Sequence, residues 1–447
     1  MRTLYILSHD LRKKGNPILD ESLDRNDIVF PIFMKDTKLE KLSGASLWWV
    51  KDSLKNLSGN LRVERIPIVE SNGNYIHILK QIVNENNIQR IVSQVVPYAN
   101  SANGLDEIKG YFTSKGIGTK WFEPNNLLSS ESILKLKINF GNFKQFCSTM
   151  KNMTVNFDSE NEKGLPEIRE VEHKSENHEY SKWERDLSGF WNTGEEQARL
   201  ILGSIVKDGN ANKGNSVLSP YIRHGQVNVK AMWKALGEED NINTEAIKRS
   251  LLWREFFYCS YARRPESSSI SMNRRMENFR WSSEWSRLIN WKEGKTGFPI
   301  IDASMRELWG RGWIDNQKRL LVSDFLAKLY SVKWTFGAEW FMDTLVDADE
   351  ASNYSSWQWI SGCSDFSWPF FKIYNPLKKS RSLDPYCEYV KMWVPELNDC
   401  PVEYILNPEK MPSDPEINYK KPDKTYKEMR EMALSGYKKF NKNDNLS

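Results

Sequence analysis

The sequence predicts an α/β N-terminal domain built on a doubly wound parallel sheet, then a linker, then an all-α domain. Residues 1–125 alternate short apolar runs with helical patterns, the signature of βα repetition. Residues 126–182, above all Thr149–Lys182, are charged, polar and weakly periodic, as a surface linker is. From 183 to 447 the strand signals fade and amphipathic helical spacing takes over.

Strands are expected at Thr3–Leu7, Asp27–Met34, Val63–Val69, Ile88–Val96 and Gly118–Phe122. Their lengths and β-branched content suit buried parallel strands. Helices are expected between them near Ser46–Leu57, Tyr75–Glu85 and Ser101–Lys115. The loop after the first strand, Ser8–Asn16, carries no GxGxxG, so a nicotinamide fingerprint is absent. Further on, Ile247–Tyr258, Pro299–Trp309 and Asn316–Leu329 place apolar residues at helical spacing. Ser219 before Pro220 reads as a helix start, with a hydroxyl cap and proline at the first helical position. The lysine-rich stretch from Tyr419 reads as a solvated terminal helix.

Composition narrows the function classes. A chain of 447 residues has room for two or three domains. Hydrophobic residues make up 39% and aromatics 12%, which excludes wholesale disorder. Mean hydropathy is −0.63, and no apolar run approaches the ~18 residues of a membrane helix. Asp10 interrupts any signal-peptide core, so a soluble cytoplasmic monomer away from membranes is expected. Net charge is +4, which permits an anionic partner without demanding one. Five scattered cysteines without CxxC fit a reducing compartment. Five histidines without ligand spacing predict no metal chemistry.

Tryptophan is the outlier. Of 18, 15 lie between Trp183 and Trp393. For most of these a helical core is the plain reading; for a few, stacking on a cofactor or nucleobase is the sharper one. Small hydroxyl and amide residues in Gly214–Pro220 precede a helix N-terminus, where they could serve a phosphate or merely cap. Asp347 and Asp349 followed by Asn353 suit a metal loop or a cap, but the spacing excludes an EF-hand.

LLWREFF at 251–257, KTGFPIIDASMRELW at 295–309 and GWIDN at 312–316 precede WFMDTLVDADEASN at 340–353, WQW at 357–359 and YVKMWVPEL at 389–397. In this order and spacing the set resembles the photolyase/cryptochrome family, most like its pyrimidine-dimer photolyases. The resemblance covers nearly the whole chain, including DLRKKGN at 10–16 in what looks like an antenna-type domain. It implies an all-α FAD-binding domain over 183–447, with a hole that admits a flipped lesion, and a second antenna chromophore in the N-terminal domain.

Residue by residue, the resemblance implies phosphate binding at Asn215, Ser216, Val217, Leu218 and Ser219, although the family usually has Arg where Val217 stands. It implies flavin and adenosine contacts at Asp347, Ala348 and Asp349, an Arg319 partner for the first acid, and Asn353 beside the flavin N5. Trp357, Trp334 and Trp281 match the electron-transfer triad. Trp253 and Trp359 match pocket walls, where base stacking contributes roughly 1–3 kcal/mol each. Lys207, Arg254, Asn316, Gln317 and Lys379 match DNA-facing positions, the last in a basic loop with Lys378 and Arg381. Ser250 stands where the pyrimidine-dimer enzymes carry a lesion-binding Glu, and a hydroxyl cannot act as a charged acceptor.

The expected activity is therefore that of a carbon–carbon lyase acting on UV-damaged DNA, driven by light and an electron from reduced FAD. The absence of a plausible Ser-His-Asp set or metal site agrees, since a flavin supplies what side chains cannot. A cryptochrome-type receptor, repair of another photoproduct, and a cofactor-free single-strand binder are the alternatives.

Overall fold

In the computed structural model the chain is described except for residues 36–41, 43, 96–98, 136–141, 152–163, 172–180, 209–216, 238–241, 413–417 and 445–447. Side chains of 99–103, 134–135, 151, 207–208, 242–243 and 443–444 are likewise outside the description. The chain forms two compact units, Met1–Pro265 with Val346–Ser352, and Glu266–Leu345 with Asn353–Ser447.

The first unit holds a parallel sheet of β1 (Arg2–Leu7), β2 (Ile28–Lys35), β3 (Ile68–Glu70), β4 (Arg90–Gln94), β5 (Gly118–Phe122) and β6 (Glu167–Ile168). Strand order is β3-β2-β1-β4-β5, with β6 also on β2. Side-chain alternation sends Leu4 and Ile6 to one face, where they join Phe30, Ile32, Leu79, Ile82 and Ile108. Tyr5 and Leu7 go to the other, with Val29, Phe33, Ile18, Leu54 and Leu57. Helices thus cover both faces, as a parallel sheet requires. Full burial of each such aliphatic side chain stabilises by roughly 1.5–3 kcal/mol.

Two expectations about this sheet are corrected. The Val63–Val69 strand shrinks to Ile68–Glu70: Val63 N turns back to Ser58 O, and only from Pro67, whose carbonyl accepts from Phe33 N, does the chain reach β2. The other half of that edge is taken by β6, pairing Glu167 and Ile168 with Ile28 and Val29, inside what the composition marks as a linker.

Helices up to Pro265 share the first unit with the sheet, so compactness divides the chain elsewhere than the composition changes at 125 and 182. The ties are specific. Glu255 accepts from Leu128 N at 3.0 Å, and Asn125 bonds both Val227 O and Val229 N. At Gly225, φ +65°, an added Cβ would lie 2.0 Å from His9 O, so only glycine permits this approach.

In the second unit the helix Pro299–Arg311 starts on proline and ends at Gly312 with φ +66°, a left-handed C-cap. Asp302 accepts from Thr296 N, Thr296 Oγ1, Gly297 N and Tyr419 OH. The lysine-rich stretch is therefore not simply solvated at its start; its helix begins at Tyr426. Asn316–Asp324 runs into a π-helical turn, Phe325–Leu329. Lys378, Lys379 and Arg381 sit on the helix Pro376–Leu383 rather than in a loop, because Asn375 caps it and Pro376 opens it.

Candidate functional site

In the first unit the helix Ser219–Arg223 has Leu218 at its N-cap and Ser219 at its first position, so Ser219 is not the cap expected. Val217 is half-buried and Leu218 fully buried. Asn215 and Ser216 lie outside the described residues, as does the side chain of Lys207. Asp347, Ala348 and Asp349 are buried. Asp349 Oδ1 accepts from Ser352 N at 2.8 Å and Oδ2 from Tyr258 OH at 2.9 Å. The cap reading of this acid pair therefore holds for Asp349.

The long helix Ile242–Arg263 carries three of the expected DNA or lesion residues. Ser250 is exposed, and its hydroxyl donates to Ala246 O at 3.0 Å. Trp253 stacks on Phe143 with ring centroids 3.7 Å apart and planes 7° apart. One of its faces thus belongs to an aromatic cluster with Phe256 and Phe257. Arg254 turns inward: two guanidinium nitrogens donate to Asn125 O at 3.3 Å, and the group lies over the Tyr258 ring. Despite burial, Tyr258, Glu255 and Asp349 hold its pKa above the ordinary value.

In the second unit Asn353 is buried and its Nδ2 donates to Ala338 O at 2.9 Å. Four residues on, and so on the same helix face, Trp357 packs edge-on against Trp291 and Phe341, at centroid separations of 6.0 and 5.1 Å. Gly337 makes room for it: a Cβ there would lie 2.2 Å from the indole. Trp334 is fully buried and its Nε1 donates to Ser271 Oγ at 3.4 Å. Trp281 is part-exposed against Phe279 at 4.7 Å. Trp291, fully buried with its Nε1 donating to Val322 O, is a neighbour of Trp357 that the sequence reading missed; only its place within the tryptophan excess hinted at it.

Arg319 Nε donates to Ile314 O at 2.8 Å, and its guanidinium lies 5.9 Å from the Trp313 centroid. Asn316 and Gln317 are exposed at a helix start capped by Asp315. Trp359 leans on Trp368 at 5.6 Å, and Trp368 stacks on Tyr374 at 6.0 Å. Lys379 Nζ sits 5.3 Å from the Tyr374 ring centre. It lines an open groove with Lys378, Lys427 and Arg430.

The donor set fits a flavin nucleotide. Trp357 Nε1 is buried without a partner among the described residues, and an unmet buried donor is costly unless a ligand satisfies it. The buried Asn353 amide and Trp357 indole, one turn apart on the same helix face, suit a heteroaromatic ring system with donors and acceptors. Among the described residues no cluster of three His, Cys, Asp or Glu could hold a metal, and no helix is long and apolar enough to cross a membrane.

Comparison with known proteins places these units in one family. Residues 3–166 match the DNA photolyase family model, and residues 247–439 match that of the FAD binding domain of DNA photolyase. A deoxyribodipyrimidine photo-lyase of Agrobacterium fabrum is 29% identical over 430 residues, covering 91% of this chain and 89% of that protein. Cryptochrome-1 of Arabidopsis thaliana is 26% identical over 436 residues, 90% of this chain and 64% of that one. The crystal structure of a class III photolyase from Agrobacterium tumefaciens superposes with a TM-score of 0.86 at 26% identity, covering 99% of this chain and 98% of that one. An archaeal photolyase from Sulfolobus tokodaii, solved with two FAD molecules, gives 0.82 at 26% identity, with coverages of 98% and 100%. The chain belongs to the photolyase/cryptochrome family, with an N-terminal parallel-sheet α/β domain and a helical FAD-binding domain.

Proposed function

We propose that this protein is a light-driven DNA repair enzyme that returns a flipped-out pyrimidine dimer to two pyrimidines. The observation that carries the reading is the Trp357, Trp334 and Trp281 set, two buried and one part-exposed, with Asn353 one turn before Trp357. FAD, when bound, supplies the light-excitable one-electron donor that no side chain here replaces. The residues that would hold it include Asn215–Ser219, Asp347, Ala348, Arg319 and Asn353. Asn353 orients its amide through Ala338 O, leaving its carbonyl oxygen for the ring. Trp359 offers an aromatic wall for an unstacked base, and a dimer flips at lower cost than a normal pair because it stacks and pairs poorly. Lys379, Asn316 and Gln317 would meet the phosphate backbone, which positions DNA without reading its sequence. A second, light-harvesting chromophore in the sheet-bearing domain belongs to the same reading.

Ser250 favours a second reading, since its hydroxyl is bonded back to Ala246 O and offers no carboxylate to a lesion. On that reading the chain is a cryptochrome-type receptor, or repairs a different photoproduct. The deciding experiment illuminates the purified, FAD-loaded protein with oligonucleotides bearing one defined photoproduct each. Reversal of the cyclobutane dimer supports the proposal. Reversal of another product alone reassigns the lesion, and flavin photoreduction without any reversal favours the receptor. Protein that holds no flavin overturns all three.

A further inference from the structure

Val346–Ser352 belongs to the first unit, although the chain on either side belongs to the second. Three side chains from outside the segment hold it there: His224, Arg223 and Tyr258. His224 Nε2 lies 2.8 Å from Val346 O, and Arg223 Nε donates to Ala348 O at 2.6 Å. Arg223 Nε is also 3.6 Å from Asp349 Oδ2, which accepts from Tyr258 OH at 2.9 Å. The remaining Asp349 oxygen, Oδ1, caps Ser352 N at 2.8 Å. One carboxylate oxygen thus caps the segment's own helix start, and the other ties the segment to Tyr258 and Arg223.

Arg223 is itself held from the first strand's loop. Its Nη1 meets His9 Nδ1, and burial beside that cation keeps His9 well below its ordinary pKa, hence neutral and able to accept. The backbone of His9 and Asp10 rests directly on Gly225. Arg12 Nη1 donates to Gly225 O at 3.1 Å, and Leu11 N donates to His224 O at 3.0 Å. A continuous set of contacts therefore runs from the end of β1 through Arg223 to Ala348 and Asp349.

Resting on the FAD-binding reading above, we infer that Arg223 is a positioning residue for the flavin-binding segment and that Asp349 serves as its counter-ion rather than as a flavin ligand. Arg223 fixes the Ala348 carbonyl and the Asp349 carboxylate together. A guanidinium suits this better than an ammonium, because its planar fork bonds Ala348 O through Nε and meets His9 through Nη1 while its charge lies 3.6 Å from Asp349 Oδ2. The first-strand loop thereby sets the position of residues 346–352.

The test uses the full chain, with and without FAD. Without FAD, Arg223→Gln should raise amide hydrogen exchange over 346–352 at least tenfold and leave β1 and β4 unchanged. With FAD, the same variant should weaken binding about ten- to a hundredfold and blur the vibronic structure of the bound flavin's absorption. Arg223→Lys should recover part of both losses. Asp349→Asn should also weaken FAD binding, and Arg223→Gln with Asp349→Asn should bind no worse than Arg223→Gln alone. Unchanged exchange in Arg223→Gln, or losses that add in the double variant, would overturn the inference. If Arg223→Gln fails to fold, Tyr258→Phe removes a single hydroxyl from Asp349 and should still raise exchange over 346–352 severalfold; no rise would count against the clamp. Wild-type protein that binds no FAD would overturn the functional reading, and the exchange measurement on the FAD-free chain would then decide the clamp alone.

Discussion

Lys328 Nζ lies 2.9 Å from Asp324 Oδ1, one helical turn away, and neither side chain is exposed to solvent. The pair also binds a distant segment: Asp324 Oδ2 accepts from Tyr374 N at 2.8 Å, and Lys328 Nζ donates to Lys372 O at 2.9 Å. That segment leads into the helix carrying Lys379. Burial pushes the Asp324 carboxyl up to about 6 and the Lys328 ammonium down, while each draws the other back toward its charged form.

Asp324→Asn should therefore cost about 3–5 kcal/mol, because it strands a buried ammonium. Adding Lys328→Met should recover much of that loss, since the stranded charge is then gone. Denaturant unfolding of both single variants and the pair measures this. Two small, additive losses would show that the ion pair is not what anchors residues 372–374.

Trp357→Phe should abolish light-driven reduction of the oxidised FAD-loaded protein and weaken FAD binding by no more than about tenfold, the loss of one indole N–H donor. Phenyl keeps an aromatic ring against Trp291 and Phe341 but gives up an electron far less readily. Flash absorption of the flavin decides it. Photoreduction at the wild-type rate would remove Trp357 from the electron path.

His224 gives a pH prediction. Burial first, then the Arg223 cation, push its pKa from 6.5 down to about 3. Between those values the unfolded chain holds a proton here that the folded chain does not, so this group's contribution falls as pH falls. The slope is at most about 1.4 kcal/mol per pH unit. Asp10 and Asp324, each raised by burial to about 6, act in the opposite sense between roughly pH 4 and 6. The difference between wild type and His224→Gln isolates the histidine. Wild type should lose stability relative to the variant from pH 6.5 toward 4, and parallel curves would contradict a neutral buried His224.

Lys379→Ala should weaken DNA binding without changing the preference for lesion-bearing over intact DNA. One lost phosphate contact lowers the slope of log affinity against log salt by about one. Filter binding over a salt series tests both statements. Lost lesion preference at an unchanged salt slope would put this lysine in the lesion pocket instead.

Ser250→Glu should improve dimer binding and repair by somewhat under tenfold. The exposed position has room for a carboxylate, and a charge-assisted hydrogen bond exceeds a neutral one by roughly 1 kcal/mol. Dimer affinity at fixed salt is the measurement. A large loss on Ser250→Glu, with another photoproduct repaired well by wild type, would show a pocket shaped for that other lesion.

The sheet was legible because buried parallel strands leave continuous apolar runs, as at β1, β2 and β4. The overlong Val63–Val69 and the unseen β6 share one cause. How far a segment pairs depends on which neighbour reaches the β2 edge, and Glu167–Ile168 has no periodicity to announce it. The Asn375–Pro376 start of the basic helix was present as a cap signal but was outweighed by the charge run that follows. At the site, the ordered motifs pointed to Asn353 and Trp357, and the i, i+4 spacing of Asp324 and Lys328 could have suggested an ion pair. The inward turn of Arg254 and the Arg223–Asp349 contact were not legible, because they link residues 129 and 126 positions apart and no local pattern encodes such pairings.

The most direct measurement illuminates FAD-loaded protein, reduced beforehand, with an oligonucleotide carrying one cyclobutane dimer, and counts intact pyrimidines restored in light and in darkness. Light-driven repair predicts restoration in light only, with the same yield from Trp357→Phe, because a flavin already reduced needs no electron from the tryptophans. Equal, negligible restoration in light and darkness by protein that still photoreduces its flavin would contradict it.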